Sequence, residues 1–211
     1  MRTAGLWRLI CICASGLCPI SAYAQEGRAA PAVSSTANPD AGSTIIALGG
    51  TVWLAEGGGL PSIHFGIVHA LARHFDLTAE LETLGVASAA GAGLRLRAQP
   101  ISGVLTLAWE GSLIGAYGIN DGSWGNLLAY GAASGPSTTL ALGPVELTTT
   151  VQGIALFGRW TGGETGASVL GLRPVLNLEA QLTPGFRPFL RGALLATTAG
   201  TMGTVSIGLV F

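Results

Sequence analysis

Residues 76–83 read Asp-Leu-Thr-Ala-Glu-Leu-Glu-Thr, and residues 94–99 read Leu-Arg-Leu-Arg-Ala-Gln. In both, polar or charged side chains alternate with aliphatic ones, so an extended strand puts all charge on one face and all apolar surface on the other. A helix would scatter the two sets around its circumference. The chain therefore offers two environments to the two sides of one sheet, and composition says what they are. Hydrophobic residues make up 49% and charged residues 10%, against about a quarter charged in a soluble domain. The long uncharged stretches at 122–145 and 192–211 are rich in Gly, Thr and Ser, and the first contains Pro136 and Pro144, so neither reads as a membrane helix. A transmembrane barrel satisfies both observations, because it places lipid-facing residues at every second position and never builds a continuous apolar run.

The amino-terminal stretch reads as a secretory signal. Arg2 and Arg8 precede an apolar run at 9–20, and Ala22-Tyr23-Ala24 supplies the small-x-small pattern before Gln25, which marks residues 1–24 as a signal peptide. The run is too short to span a bilayer, and it breaks at Pro19. Cys11, Cys13 and Cys18 all fall inside it, after Ile10, Ile12 and Leu17 rather than a small residue, so lipidation is not expected. No thiol is left for a disulfide, a nucleophile or a thiolate metal site. Residues 25–42 have two prolines and no periodicity, as expected of a disordered periplasmic leader. Residues 43–211 form the barrel domain. The formal net charge is −1 and there is no Lys, which excludes the basic footprint of a nucleic-acid binder.

Turn signals divide the domain into ten segments, 43–54, 62–72, 76–87, 91–99, 103–114, 126–142, 145–160, 167–182, 187–198 and 203–211. Most have the length a tilted strand needs to cross a membrane. The predicted fold is an all-β, antiparallel up-and-down transmembrane β-barrel of ten strands. Gly135-Pro136 interrupts the sixth segment, and eight strands is the alternative. Short connections at 73–75, 100–102, 143–144 and 183–185 alternate with longer Gly-rich ones. In barrels of this kind the short turns are periplasmic, so both ends of the barrel are expected there. Trp53, Phe65, Trp124, Phe157 and Trp160 fall near loop ends, and Phe75, Phe186, Phe189 and Phe211 near turn ends, as two interfacial aromatic girdles would require.

Arg on a lipid face at mid-depth costs about 2–4 kcal/mol, so the charged face must be the lumen. Glu80, Glu82, Glu110, Glu146 and Glu179 then face Arg95, Arg97, Arg173, Arg187 and Arg191 across the interior. A third connection centred near 88–89 would set Glu82 opposite Arg95 and Glu80 opposite Arg97. Glu179 would fall diagonally between Arg187 and Arg191. Equal numbers of both signs favour an interior closed by its own ion pairs, whereas a selective pore more often shows a ring of one sign.

No catalytic, cofactor or metal site is predicted. His64, His69 and His74 are spaced by five, so successive ones point to opposite strand faces and cannot all reach one metal. Glu80 and Glu82 could be drawn as an acid–base pair, but an Arg beside each would hold both ionised. Gly57-Gly58-Gly59 and Gly162-Gly163 lead into no helix and form no phosphate cradle.

The last stretch, 204–211, places Val205, Ile207, Leu209 and Phe211 on one face. It resembles the closing strand of bacterial outer-membrane β-barrels, and the chain as a whole resembles the small barrels of the OmpA membrane-domain or OmpX type. The resemblance implies residence in the Gram-negative outer membrane among lipid and lipopolysaccharide. It also implies that these four residues are read as a signal by the barrel assembly machinery. The expected role is structural or interactive at the cell surface. A narrow porin-like channel is the alternative, and a lipid-modifying enzyme of the outer membrane ranks third.

Overall fold

The computed structural model describes residues 39–55, 58–83, 87–101, 103–118, 127–160, 166–183, 186–198 and 200–211. The expected signal peptide, most of the leader and Trp124 lie outside the described residues, as does the side chain of Trp160. Ten strands follow one another: β1 (Thr44–Ala55), β2 (Gly58–Ala72), β3 (Phe75–Thr83), β4 (Ala87–Ile101), β5 (Leu105–Gly118), β6 (Leu127–Leu142), β7 (Val145–Trp160), β8 (Gly166–Ala180), β9 (Arg187–Thr197) and β10 (Gly200–Val210). Each pairs antiparallel with its neighbours in sequence, and β1 pairs with β10 to close the ring. Closure removes the unpaired strand edges that neither lipid nor an oligomerising neighbour could satisfy without cost.

Short turns at 73–74 and 143–144 lie at the same end of the ring as the start of β1 and the end of β10. We call this the turn end and the opposite rim the loop end. Gly143 adopts φ 68°, a left-handed corner open to Gly without penalty. At the seam, the backbone of Phe211 exchanges hydrogen bonds with that of Ile46 at 2.8 and 3.1 Å.

Gly135-Pro136 does not divide the sixth strand. Pro136 sits opposite Trp109 of β5 with its ring outward, and on the other side the β6–β7 ladder passes from Ser134↔Gly153 to Ser137↔Thr150. The missing proline N–H costs a ladder bond on one side, and the strand runs on. The count is ten.

The third connection is where the register differs from expectation. Glu82 faces Ala89, Glu80 faces Gly91, and Asp76 faces Arg95. The hairpin is therefore centred three residues earlier than the sequence suggested, because Ser88-Ala89-Ala90, expected as the connection, is strand. Small inward positions opposite Glu80 and Glu82 leave space for two long carboxylate side chains in a crowded lumen.

An apolar group lies at the turn end: Ile45, Ala47, Val68, Phe189 and Val210 pack together inside the ring. Phe189, expected in a girdle, points inward, and Gly49 and Gly208 make room for its ring. A Cβ on Gly208 would come within 2.6 Å of both the ring edge and the Gly49 backbone. Gly208→Ala is expected to cost about 1–3 kcal/mol through overpacking, read as a lower urea midpoint for unfolding from vesicles. Gly115→Ala, where a Cβ meets nothing within 4 Å, should leave the midpoint unchanged.

Candidate functional site

Alternation carries every expected interior charge inward. Glu80, Glu82, Arg95, Arg97, Glu110, Arg173, Glu179, Arg187 and Arg191 are buried, and Glu146 is half-buried on the same face of β7. They gather in three groups, and the pairings differ from those the sequence suggested on β3 and β4.

At the turn end Asp76, fully buried, holds two arginines. Arg95 Nε donates to Asp76 Oδ2 at 2.7 Å, and Arg97 Nη2 donates to Oδ1 at 2.8 Å. Arg97 Nη2 also reaches the Pro39 carbonyl at 3.2 Å. The predicted pairs Glu82–Arg95 and Glu80–Arg97 are thus replaced by one carboxylate clamped by two guanidinium groups. Asp76 lies next to a turn and was absent from the expected set. Its signal in the sequence is that it shares the face of Thr78, Glu80 and Glu82.

On the opposite wall, Arg187 Nη1 lies 3.3 Å from Glu179 Oε1. Glu179 sits opposite Phe189, hence diagonally between Arg187 and Arg191, and Glu146 lies directly opposite it on β7.

The third group fills mid-lumen. Arg173 of β8, with no accessible surface, acts electrostatically on Glu80 and Glu82 of β3 and Glu110 of β5. β3 and β8 are five places apart in a ring of ten, so this side chain reaches across the barrel. Glu82 accepts a hydrogen bond from Ser62 Oγ, which itself accepts one from Trp53 Nε1 at 2.8 Å. Glu110 is met by Ser137 Oγ at 3.2 Å and Gln152 Nε2 at 3.5 Å. Both oxygens of Glu80 are buried without a hydrogen-bond partner. Trp53, expected in a girdle, is 2% exposed: the parity of β1 turns it inward with Thr51, and Ser62 Oγ satisfies its indole N–H there.

The three histidines diverge. His64 is buried inside, opposite Glu82. His69 lies on the outward face, within hydrogen-bond distance of Thr44 Oγ1 (2.8 Å), and His74 is exposed in a turn. Among the described residues no three His, Cys, Asp or Glu side chains are grouped to hold a metal ion.

The outer face is the converse of the lumen. Leu48, Leu60, Ile63, Leu94, Leu113, Leu170 and Ile207 are among its exposed side chains, and Arg159 at the loop end of β7 is the only Asp, Glu, Lys or Arg pointing outward from the described strands. A closed ring with an aliphatic exterior that carries one charge, at its loop end, and a charged interior is built for lipid outside and polar groups within. The architecture is that of a small outer-membrane β-barrel.

No protein-family model matches the chain, and no curated protein matches it either. Solved structures do. The outer membrane protease OmpT from Escherichia coli matches at TM-score 0.45 and 10% identity, over 79% of this chain and 94% of that one. The KdgM porin matches at 0.41 and 13%, over 80% and 99%, and Ail, the attachment invasion locus protein of Yersinia pestis, at 0.32 and 12%, over 81% and 99%. These are likenesses of fold alone, and the work of this barrel is read from its own interior.

Its rims are partly aromatic. Phe157, Phe186 and Phe211 are exposed on the outer side, and Phe65 and Phe75 are half-buried there. Tyr130 and Phe157 stack tilted at 5.3 Å near the loop end, beside Tyr117. Toward that end the lumen turns apolar, with Ile114, Ile154, Leu156, Val169, Leu195 and Met202 buried. This apolar layer is not among the features expected from the charge pattern. Its signal was the parity of β7, where Ile154 and Leu156 share the face of Gln152 while Gly153 and Ala155 lie outside.

Proposed function

We propose that this chain is an integral outer-membrane β-barrel with a closed lumen, and that its role is structural or interactive at the cell surface. One observation carries the reading. Long side chains at mid-lumen are inaccessible to water: Arg173 and Gln152 are 0% exposed and Glu110 1%. A water-filled pore would wet the charged groups that line it. An interior of about eight strands is already filled by side chains, and here long residues from opposite walls fill the wider ring of ten. Apolar layers at the turn and loop ends support the same reading, since ions cross aliphatic constrictions poorly.

In this reading both barrel termini are periplasmic, and the lipid-facing row of Val205, Ile207, Leu209 and Phe211 is what the barrel assembly machinery meets. Lipid and lipopolysaccharide surround the exterior. No catalytic step is assigned: the described hydrogen bonds join no serine to a histidine, and the interior carboxylates are closed to a substrate. The polar mid-lumen favours a narrow porin-like passage as the second reading. Purified protein in planar bilayers decides between them. Closed-barrel protein should show no steady conductance, whereas large, steady channels would replace this reading with the porin-like one.

A further inference from the structure

Four of the five interior arginines have carboxylates to answer them: Arg95 and Arg97 share Asp76, Arg187 meets Glu179, and Arg173 acts on three glutamates. Arg191 has none among the described residues. It is 7% exposed, and its Nη2 is buried without a hydrogen-bond partner. The one carboxylate diagonal to it on β8, Glu179, is turned to Arg187.

A guanidinium does not shed its proton inside a protein, so Arg191 cannot escape the cost of burial by becoming neutral. An isolated buried charge is expensive unless it is paired. What the fold places around Arg191 is neutral and polar. Asn177 lies directly opposite on β8, Ser206 directly opposite on β10, and Thr204 next on the same inward face. Ser206 Oγ shares a 2.8 Å hydrogen bond with Thr51 Oγ1, so one of these two hydroxyls keeps a proton to donate elsewhere. Ala193, the next inward residue on β9, adds no bulk. A buried cation flanked by hydroxyl and amide donors, with no carboxylate, is a receptor for an anion.

We propose that Arg191 holds a small inorganic anion of the size of chloride inside the barrel, with Asn177, Ser206 and Thr204 as neutral neighbours. The enclosure sets the size, because a side chain 7% exposed leaves no way in for a bulky carboxylate or sugar acid. The ion answers the one interior arginine without a carboxylate partner and does not open the lumen, so the site exists whether the barrel conducts or not.

The test uses the whole barrel purified from membranes. Crystals soaked in bromide should show an anomalous peak in contact with the Arg191 guanidinium. In solution, unfolding in sodium chloride should be several-fold slower than in sodium gluconate of equal ionic strength, with a saturable chloride dependence, because a ligand bound only by the folded state stabilises it by mass action. Arg191→Gln should lose that dependence, and Arg159→Gln, on the outer face, should keep it. A bromide-soaked crystal with no peak at Arg191, or an unfolding rate indifferent to chloride against gluconate, would overturn the site. So would an Arg191→Gln barrel as chloride-sensitive as the wild type. Should Arg191→Gln fail to fold, the bromide peak and the wild-type chloride titration decide alone.

Discussion

Asp76→Asn is expected to lower the stability of the folded barrel by about 3–5 kcal/mol, the cost of removing one partner from a buried ion pair. Asn keeps the shape and removes the charge, so the loss reads the electrostatics and not a cavity. Two guanidinium groups depend on this one carboxylate, at 2.7 and 2.8 Å, which is why the loss should exceed that for either arginine alone. Arg97→Met removes one cation but leaves Asp76 with Arg95, and about 1.5–3 kcal/mol is the expected cost, that of a charged hydrogen bond. Urea unfolding from vesicles measures both. A double-mutant cycle then separates the observed register from the one the sequence suggested. Asp76→Asn and Arg97→Met should be strongly non-additive, whereas Glu80→Gln and Arg97→Met should add, since these two residues do not pair. A loss below about 1 kcal/mol for Asp76→Asn would mean that the clamp is solvated and carries little of the fold.

What the chain announces and what it conceals divide along local and non-local physics. The period-two pattern of residues 76–83 and 94–99 is local, so which face each charge occupies could be read directly. Strand order was legible too, because hairpin connections leave antiparallel neighbours few alternatives. The β3–β4 register was not. It depends on whether Ser88-Ala89-Ala90 is loop or strand, and small residues satisfy either until the lumen needs space opposite Glu80 and Glu82. Trp53 and Phe189 were misplaced for a related reason. An aromatic near a strand end suits an interface, but the strand's parity turns both inward, where Ser62 accepts the indole N–H and Gly49 and Gly208 admit the phenyl ring. The meeting of Arg173 with Glu80, Glu82 and Glu110 joins strands that no hairpin relates. It exists only once the ring closes.

Arg173→Ser should convert the closed barrel into a cation-selective channel. The substitution withdraws the longest side chain crossing mid-lumen and removes the one cation acting together on Glu80, Glu82 and Glu110. Steric and electrostatic effects then work in the same direction. The crossing is vacated, and three carboxylates are left to repel one another across a space that water can now enter. Water and cations are the cheapest way to screen them, because charges that cost several kcal/mol in a dry interior cost little once hydrated. A lumen ringed by negative charge passes cations in preference to anions. In planar bilayers with a salt gradient, the variant should show steady conductance and a reversal potential displaced toward the cation's, against a silent wild type. The apolar layer of Ile154, Leu156 and Val169 lies in series with the opened segment and should keep the conductance small. Adding Glu80→Gln and Glu82→Gln to the Arg173→Ser background should weaken the selectivity while leaving the passage open. A variant that folds, as judged by heat-modifiable migration on gels, yet stays silent would show that Arg173 is not what closes the barrel, and the apolar layers would have to carry closure by themselves.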